Sequence, residues 1–246
     1  MQRKRANSDA TGDAILVDGP EFFEVGARRI AYRLRDGAPP TLVFFPGYAS
    51  DMEGAKALAL DAFAADRGLA MLRFDYSGTG SSSGRFEDGT LDLWLEEALA
   101  LVDGLTEGPL VLVGSSMGGW IALHVALARA ARVAALVGIA AAPDFTDWGF
   151  VDGDAAERQG LSRGFWESGQ RMLLLKGEIA LDCPVRLIHG EQDPDVPLDT
   201  AFRLMRALRS ADVQLQVIKG GGHRLSEPHE IEAILRTVAA LLEPAP

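Results

Sequence analysis

The sequence has few of the residues on which disulfide-rich, metal-rich or membrane-spanning proteins depend. Cys183 is the single cysteine among 246 residues, which excludes an internal disulfide and a cysteine-rich zinc or iron–sulfur site. The longest uncharged apolar run, near residues 133–143, is too short to cross a bilayer. No stable insertion into a membrane is therefore expected.

Positive charge is also scarce. Lysine and arginine number 24 and aspartate and glutamate 35, so the net charge is −11. A protein this acidic is repelled by a phosphate backbone, and nucleic acid is not an expected partner. Hydrophobic residues make up 48% of the chain, which is ordinary for a folded domain. The length fits a single α/β domain over residues 1–246.

The first residues of the chain carry no convincing targeting signal. Residues 1–5 are basic, but no apolar stretch follows them. Asp9, Asp13 and Asp18 come next, and acidic residues argue against a secretory or organellar leader peptide. A cytoplasmic location is therefore predicted.

Short apolar runs alternate with helical patterns along most of the chain. Each run is bounded by Gly, Pro or Asp, which is typical of a strand, and the helical stretches repeat apolar residues at helical spacing. Continuous apolar strands separated by helices predict a mostly parallel sheet covered on both faces. The predicted strands are 43–45, 69–76, 110–113, 133–139, 185–188 and 213–218, and the predicted helices are 53–66, 91–105, 117–130, 198–209 and 229–242.

Two segments depart from this alternation. Residues 21–25 and 29–34 flank Gly26 and Ala27, which predicts an antiparallel hairpin before the parallel strands. Residues 143–181 form a long stretch without a clear strand that contains several Phe and Trp residues. Because a long insertion in a compact domain is usually functional, a lid is predicted here. The alternative is a surface excursion with a small core of its own.

The pattern Gly-x-Ser-x-Gly occurs twice, around Ser116 and around Ser82. The motif supports nucleophilic catalysis when a strand turns sharply into a helix and holds the serine in a strained elbow. Ser116 directly follows the predicted strand 110–113 and directly precedes a predicted helix, whereas Ser82 lies in a polar loop. Ser116 is therefore the predicted nucleophile.

The loop around Ser82 also imitates a nucleotide-binding fingerprint. Gly78 and Gly80 follow a predicted strand, but the real fingerprint opens a helix directly, and here a polar loop intervenes. No pair of His or Cys residues stands at the spacing of a metal site. Neither a nucleotide, a metal nor any other cofactor is expected.

Two backbone N–H groups are candidates for stabilising an oxyanion. A helix N-terminus presents unpaired N–H groups, so the N–H of Met117 is expected to face the oxyanion formed when Ser116 attacks a carbonyl. A second donor is expected from the loop after strand 43–45. Pro46 has no N–H, which leaves the backbone N–H of Tyr48. The alternative is an ordinary Pro-Gly turn.

Four histidines could supply the base that a serine hydroxyl needs at neutral pH. His223 follows three glycines after strand 213–218, at the carboxyl edge of the sheet where open α/β proteins place their sites. His223 is therefore the predicted base. His124, inside the predicted helix after Ser116, is predicted to pack, His189 is predicted to cap or to pack at the end of strand 185–188, and His229 begins the last helix.

The acid that orients the imidazole is expected after strand 185–188, because both Asp193 and Asp195 follow it. Asp193 comes first and is the predicted acid. Asp195 is predicted to cap the helix that starts near Pro197, and it remains the alternative acid.

The order Ser116, Asp193, His223 is that of α/β-hydrolases, and the chain resembles this family over residues 21–242. The phrases FFPGYASDMEGAKALAL, RFDYSGTGSSSG and VGSSMGGW resemble a subgroup that includes mammalian mitochondrial acyl-glucuronide esterases and palmitoyl-protein thioesterases. The pieces that match the wider family are FFPGY at 44–48, DYSGTGSS at 75–82, GSSMGG at 114–119, HGEQDPDVP at 189–197 and GGH at 221–223.

The resemblance implies an α/β-hydrolase fold and a cofactor-free hydrolase of carboxylic esters or acyl thioesters. Ser116 would carry the acyl group, with His223 and Asp193 completing the triad and Tyr48 and Met117 donating to the oxyanion. The implied partner is a small acyl ester or thioester, or an acylated protein. Aromatic side chains of the predicted lid are expected to shape the acyl pocket. A ligand-binding protein that retains the fold is the alternative from another class.

Overall fold

The computed structural model describes residues 19–243, which contain one eight-stranded sheet. Residues 1–18, on which the targeting prediction depends, lie outside the described residues, as do residues 244–246. The strands are Glu21–Val25 (β1), Arg28–Arg35 (β2), Ala38–Phe45 (β3), Leu69–Phe74 (β4), Leu110–Ser115 (β5), Val133–Ile139 (β6), Val185–Gly190 (β7) and Val213–Ile218 (β8).

The sheet is mostly parallel, as predicted. Its spatial order is β1-β2-β4-β3-β5-β6-β7-β8. The six strands from β4 to β8 in this order run parallel, whereas β1 pairs with β2, and β2 with β4, in the antiparallel sense. The predicted hairpin is confirmed, because Val25 pairs with Arg28 and the turn between them contains Gly26 at a φ of 60°.

Eight α-helices accompany the sheet within residues 19–243. Parallel strands require crossover connections, and helices supply them here by covering both faces. The helices are Ala55–Arg67 (α1), Leu91–Leu105 (α2), Met117–Ala128 (α3), Phe145–Trp148 (α4), Gly153–Arg158 (α5), Arg163–Arg171 (α6), Leu198–Ala207 (α7) and Pro228–Leu242 (α8), and a short 3₁₀ helix lies at Phe86–Asp88.

The two faces of the sheet carry separate hydrophobic cores. On one face, α2, α3 and α7 bury side chains such as Trp94, Trp120 and Leu204 against the strands. On the other face, α1 and α8 bury Leu60 and Val238. This double cover explains why the central strands read as continuous apolar runs.

Most strand bounds agree with the sequence prediction to within two residues, and two of the differences have a clear cause. β3 begins at Ala38 rather than at residue 43. Pro39 and Pro40 cannot donate to a ladder, and they lie where the register of β3 against β4 shifts, so the missing N–H groups are tolerated. β4 ends at Phe74, two residues before the predicted end of strand 69–76, because the chain turns there into the loop of Ser82.

The segment 143–181, in which the sequence shows no clear strand, contains short helices. It contains α4, α5 and α6, all of them short, and an isolated bridge from Ile179 to Leu208 ends it. Of the helices formed by residues 19–243, none combines the length and the apolar composition needed to cross a bilayer.

Candidate active site

Ser116 lies at the sharp turn between β5 and α3, with φ 53° and ψ −122°. This conformation is unfavourable for a residue with a side chain, and close packing on both sides enforces it. A Cβ at Gly118 would collide with the carbonyl oxygen of Phe45, and one at Gly114 would collide with the backbone at Gly118. The two glycines of the motif are therefore required by close backbone contact.

The second motif has a different structure, because the hydroxyl of Ser82 is already used. Its Oγ donates to the carbonyl oxygen of Asp75 at 2.8 Å and accepts from the N–H of Ala31 at 2.8 Å. Ser82 thus fixes its loop to β2, because its hydroxyl is bonded to two backbone groups.

His223 faces Ser116, as predicted. Its Nε2 lies 3.0 Å from the Oγ of Ser116, and the His223 side chain is 20% exposed. Lys56 of α1 donates to the carbonyl oxygen of Arg224, the next residue, and so holds this loop against α1. Burial lowers the pKa of Lys56. Because the His223 side chain is partly exposed, solvent can reach the site at its imidazole ring.

Asp193 is the carboxylate that meets His223. Its Oδ2 lies 2.8 Å from the Nδ1 of His223, and its Oδ1 accepts from the N–H groups of Asp195 at 2.9 Å and Val196 at 2.8 Å. Burial alone would raise the pKa of Asp193, but the hydrogen bonds from His223, Val196 and Asp195 outweigh it and hold the pKa below its ordinary value. Asp193 is therefore ionised at neutral pH.

The remaining candidate residues have mixed outcomes. Asp195 is exposed, and α7 begins after Pro197 without a side-chain cap, so the capping role predicted for Asp195 is wrong. His124 packs as predicted, with Nε2 3.0 Å from the carbonyl oxygen of Met172. His229 lies exposed in the first turn of α8.

His189 lies closer to the site than its predicted packing role implies. It is buried at the end of β7, and its Nε2 lies 2.9 Å from the carbonyl oxygen of Val196 and 3.5 Å from the Oδ2 of Asp193. Sequence reasoning missed this contact, although a histidine four residues before the candidate acid was a usable signal.

The two candidate oxyanion donors belong to segments that lie next to Ser116. Met117 is the first residue of α3, so its N–H has no partner inside the helix. The loop of Tyr48 passes close by, because a Cβ at Gly47 would lie 3.4 Å from the Cβ of Ser116. Among the hydrogen bonds described for residues 19–243, none uses the backbone N–H of Tyr48 or Met117. Both groups remain predicted donors.

The ring of Tyr48 belongs to an aromatic cluster that reaches into the predicted lid. Its centroid lies 5.2 Å from that of Phe165 and 6.4 Å from that of Phe145, both in segment 143–181. Phe86 at 4.9 Å and Trp94 at 6.0 Å complete its neighbours. The loop beside Ser116 is thereby joined to the lid by apolar, edge-on contacts.

Asp144 connects the start of segment 143–181 with the residues that follow α6. Its buried carboxylate accepts from the N–H groups of Leu174 at 2.8 Å and Leu175 at 2.7 Å. Asp144 stands near the start of segment 143–181, and the two leucines follow α6. Burial raises the pKa of Asp144.

Several of the groups that could bind a metal ion or a phosphate already have hydrogen-bond partners. Oxygens of Asp193 and Asp195 and a ring nitrogen of His223 lie within 4.8 Å of one another, but both nitrogens of His223 have partners. The nucleotide-like loop encloses Asp75, whose carboxylate accepts from the N–H groups of Met52 and Ser81. An internal carboxylate thus occupies amides that a phosphate would need.

Fold and site together define the class of this protein. Residues 40–161 match the family model described as "alpha/beta hydrolase fold". The chain belongs to the α/β-hydrolase family.

Within this family, the chain is similar to a mitochondrial thioesterase. The human protein "Palmitoyl-protein thioesterase ABHD10, mitochondrial" is 36% identical over 234 residues, which cover 87% of this chain and 76% of the relative. The structure of "Alpha/beta hydrolase domain-containing protein 10 from mouse" matches with a TM-score of 0.85 and 33% identity, covering 91% of this chain and 98% of that one. A putative hydrolase from Agrobacterium vitis S4 matches with a TM-score of 0.84 and 38% identity over the same shares.

The relatives correct one prediction. The cytoplasmic location predicted from residues 1–18 is contradicted by the thioesterases from human, orangutan and cattle, whose names all place them in mitochondria. The physical reason is that a receptor reads a location from a targeting segment, so a few acidic side chains were too weak a basis for excluding an organelle.

Proposed function

We propose that this protein is a serine hydrolase that cleaves acyl thioesters or carboxylic esters through an acyl-enzyme on Ser116. The observation that carries the proposal is the chain of contacts from the Oγ of Ser116 through His223 to Asp193, at 3.0 and 2.8 Å. Both distances are those of hydrogen bonds. The first joins the nucleophile to the base and the second joins the base to the orienting acid, which is the order that acyl transfer requires.

The first half of the reaction forms the acyl-enzyme. His223 Nε2 takes the proton from Ser116, whose Oγ attacks the acyl carbonyl carbon. The backbone N–H groups of Tyr48 and Met117 donate to the oxyanion. As the tetrahedral intermediate collapses, the bond to the leaving sulfur or oxygen breaks, and His223 returns the proton to the leaving group.

The second half releases the acid. His223 takes a proton from water, the hydroxide attacks the ester carbonyl on Ser116, and the proton then passes to the Oγ as the carboxylic acid departs. Asp193 stays ionised throughout and stabilises the imidazolium, in keeping with its lowered pKa.

The aromatic cluster supports an apolar acyl group as the recognised part of the substrate. Tyr48 contributes a candidate oxyanion donor through its backbone, while its ring contacts Phe145 and Phe165. An acyl chain on Ser116 would therefore meet apolar surface within a few ångströms. The similarity to a palmitoyl-protein thioesterase favours long acyl thioesters, including acylated proteins, within the proposed range.

Segment 143–181 serves in this proposal as the lid over the acyl chain. Its aromatic side chains pack on Tyr48, and the Asp144 carboxylate near its start accepts hydrogen bonds from Leu174 and Leu175 after α6. The rest of the chain is then a single domain.

Initial rates on p-nitrophenyl esters from acetyl to palmitoyl, beside matched acyl thioesters, test the proposal. Ser116→Ala is the inactive variant, and Ser81→Ala, in the exposed second motif, is the matched control. We expect turnover and fluorophosphonate labelling in the wild type and in the control, and neither in Ser116→Ala. Turnover that survives Ser116→Ala contradicts the mechanism. A folded wild type that neither turns over nor labels favours the ligand-binding alternative.

A further inference from the structure

A second histidine, His189, lies close to the orienting acid Asp193. His189 is 1% exposed, and its Nε2 lies 2.9 Å from the carbonyl oxygen of Val196. Because a carbonyl oxygen can only accept, Nε2 must carry the proton. The same N–H group is 3.5 Å from the Oδ2 of Asp193, the oxygen that faces His223.

Hydrogen bonds connect His189 to Asp193 through Val196. His189 donates to the carbonyl of Val196, the N–H of Val196 donates to the Oδ1 of Asp193, and Asp193 is four residues after His189 in the chain. β7 holds His189 rigidly in the sheet. The turn of residues 193–196 is therefore fixed to a strand through one imidazole N–H.

We infer that His189 is a positioning residue, which holds the turn so that the Oδ2 of Asp193 stays within bonding distance of His223. The inference rests on the proposed function, because it assigns His189 a part in the same triad. Loss of the N–H would leave the buried carbonyl of Val196 without its partner and would free the carboxylate to rotate away from His223.

The variants His189→Leu and His189→Gln separate this role from packing. Leucine fills a similar volume without a donor, whereas the amide nitrogen of glutamine can reach the position of Nε2 and restore the N–H. We expect kcat to fall about tenfold or more in His189→Leu. Losses of this size are typical when a side chain that holds a functional residue in place is removed. KM changes little, and His189→Gln recovers most of the loss.

The pH profile of kcat/KM gives a readout that packing alone would not move. Asp193 favours the imidazolium of His223, so a misplaced carboxylate shifts the acid limb of the profile to lower pH in His189→Leu. Asp195, whose carboxylate lies within 4.8 Å of the donor atoms of Asp193 and His223, is present in every variant and does not alter the comparison.

A spectroscopic measurement keeps the test independent of turnover. The proton between His223 and Asp193 gives a far-downfield NMR signal, which we expect to weaken in His189→Leu and to persist in His189→Gln. If His189→Leu keeps the pH profile of kcat/KM and the downfield NMR signal of the wild type, the inference is overturned. Equal losses in both variants with an unmoved acid limb and an intact signal would also overturn it, since packing alone explains that result. If the wild type lacks turnover while the signal still responds, the proposed function fails but the positioning role stands.

Discussion

Ser116 and Ser82 occupy the same place in the same five-residue pattern, yet the chain uses them in opposite ways. The Oγ of Ser82 is held between two backbone groups, whereas the Oγ of Ser116 meets an imidazole. One buried carboxylate, Asp75, lies in the loop of Ser82, and another, Asp193 in the loop after β7, contacts the histidine that meets Ser116. Asp75 binds backbone N–H groups, and Asp193 additionally binds His223. The pattern specifies a tight turn, and the neighbouring elements decide whether the hydroxyl remains available for chemistry.

Removal of the two hydroxyl groups gives the largest expected contrast. We expect Ser116→Ala to lower kcat by about 10⁴-fold or more, since the nucleophile is lost, and Ser82→Ala to retain turnover within a few-fold. Rates on a thioester substrate at matched protein concentration measure both. Equal losses in the two variants would contradict the assignment of the nucleophile.

The glycines that follow the two serines should differ in the free energy of unfolding. A Cβ at Gly118 would collide with the backbone of Phe45, so Gly118→Ala is expected to cost about 3 kcal/mol or more. At Gly84 the nearest atom would be 3.4 Å away, and the φ of 102° is the main penalty, so Gly84→Ala is expected to cost about 1–2 kcal/mol. Denaturant unfolding measures the difference, and a larger cost at Gly84 would show that backbone strain outweighs collision.

Ser82→Ala should nevertheless destabilise the fold. It removes two hydrogen bonds and leaves the N–H of Ala31 without its acceptor, for which about 1–2 kcal/mol is typical. Ser81→Ala, in the same loop and exposed, is the control and should unfold like the wild type. An unchanged stability of Ser82→Ala would mean that the loop does not depend on this hydroxyl.

The smallest expected effect concerns the carboxylates of Asp193 and Asp75. Their contributions to the free energy of unfolding should depend on pH with opposite signs. The pKa of Asp193 is lowered, so its ionised form stabilises the fold above the ordinary value near 3.8, and this stabilisation is lost as the pH falls through the folded value. Burial raises the pKa of Asp75 above the same ordinary value, despite hydrogen bonds from Ser81 and Met52. Its contribution therefore decreases as the pH rises from the ordinary value through the raised one.

Unfolding of the wild type, Asp193→Asn and Asp75→Asn between pH 3 and pH 7 measures this contrast. On acidification, the free energy of unfolding of the wild type should fall relative to that of Asp193→Asn. Relative to that of Asp75→Asn, it should rise. Parallel curves for the two variants would contradict the difference in environment.

The sequence predicted the elements whose signals are local. β6 and α2 have the predicted bounds because apolar periodicity and flanking turn residues are clear there. Ser116 and His223 could be placed because each follows a strand whose carboxyl end is at the same edge of the sheet. The contact distances between them, which depend on how separate strands align, required the structure.

The features that escaped sequence analysis depend on contacts between distant segments or on local exceptions. The early start of β3 escaped because Pro39 and Pro40 argue against a strand, and only the register shift against β4 accommodates them. The role of His189 escaped because a buried histidine at a strand end is typical of packing, and its partner Val196 is fixed by a loop. The helices α4 to α6 are too short for a reliable periodic signal.

The hydrogen bonds that the Asp144 carboxylate accepts from Leu174 and Leu175 also affect how much the length of the segment between them can change. Because one carboxylate binds the chain at Leu174 and Leu175, the intervening segment begins and ends at the same point of the scaffold. The entropy of closing such a loop grows slowly with its length. A change in the length of the segment between Asp144 and Leu174 is therefore expected to cost little free energy, provided that its aromatic contacts with Tyr48 are kept.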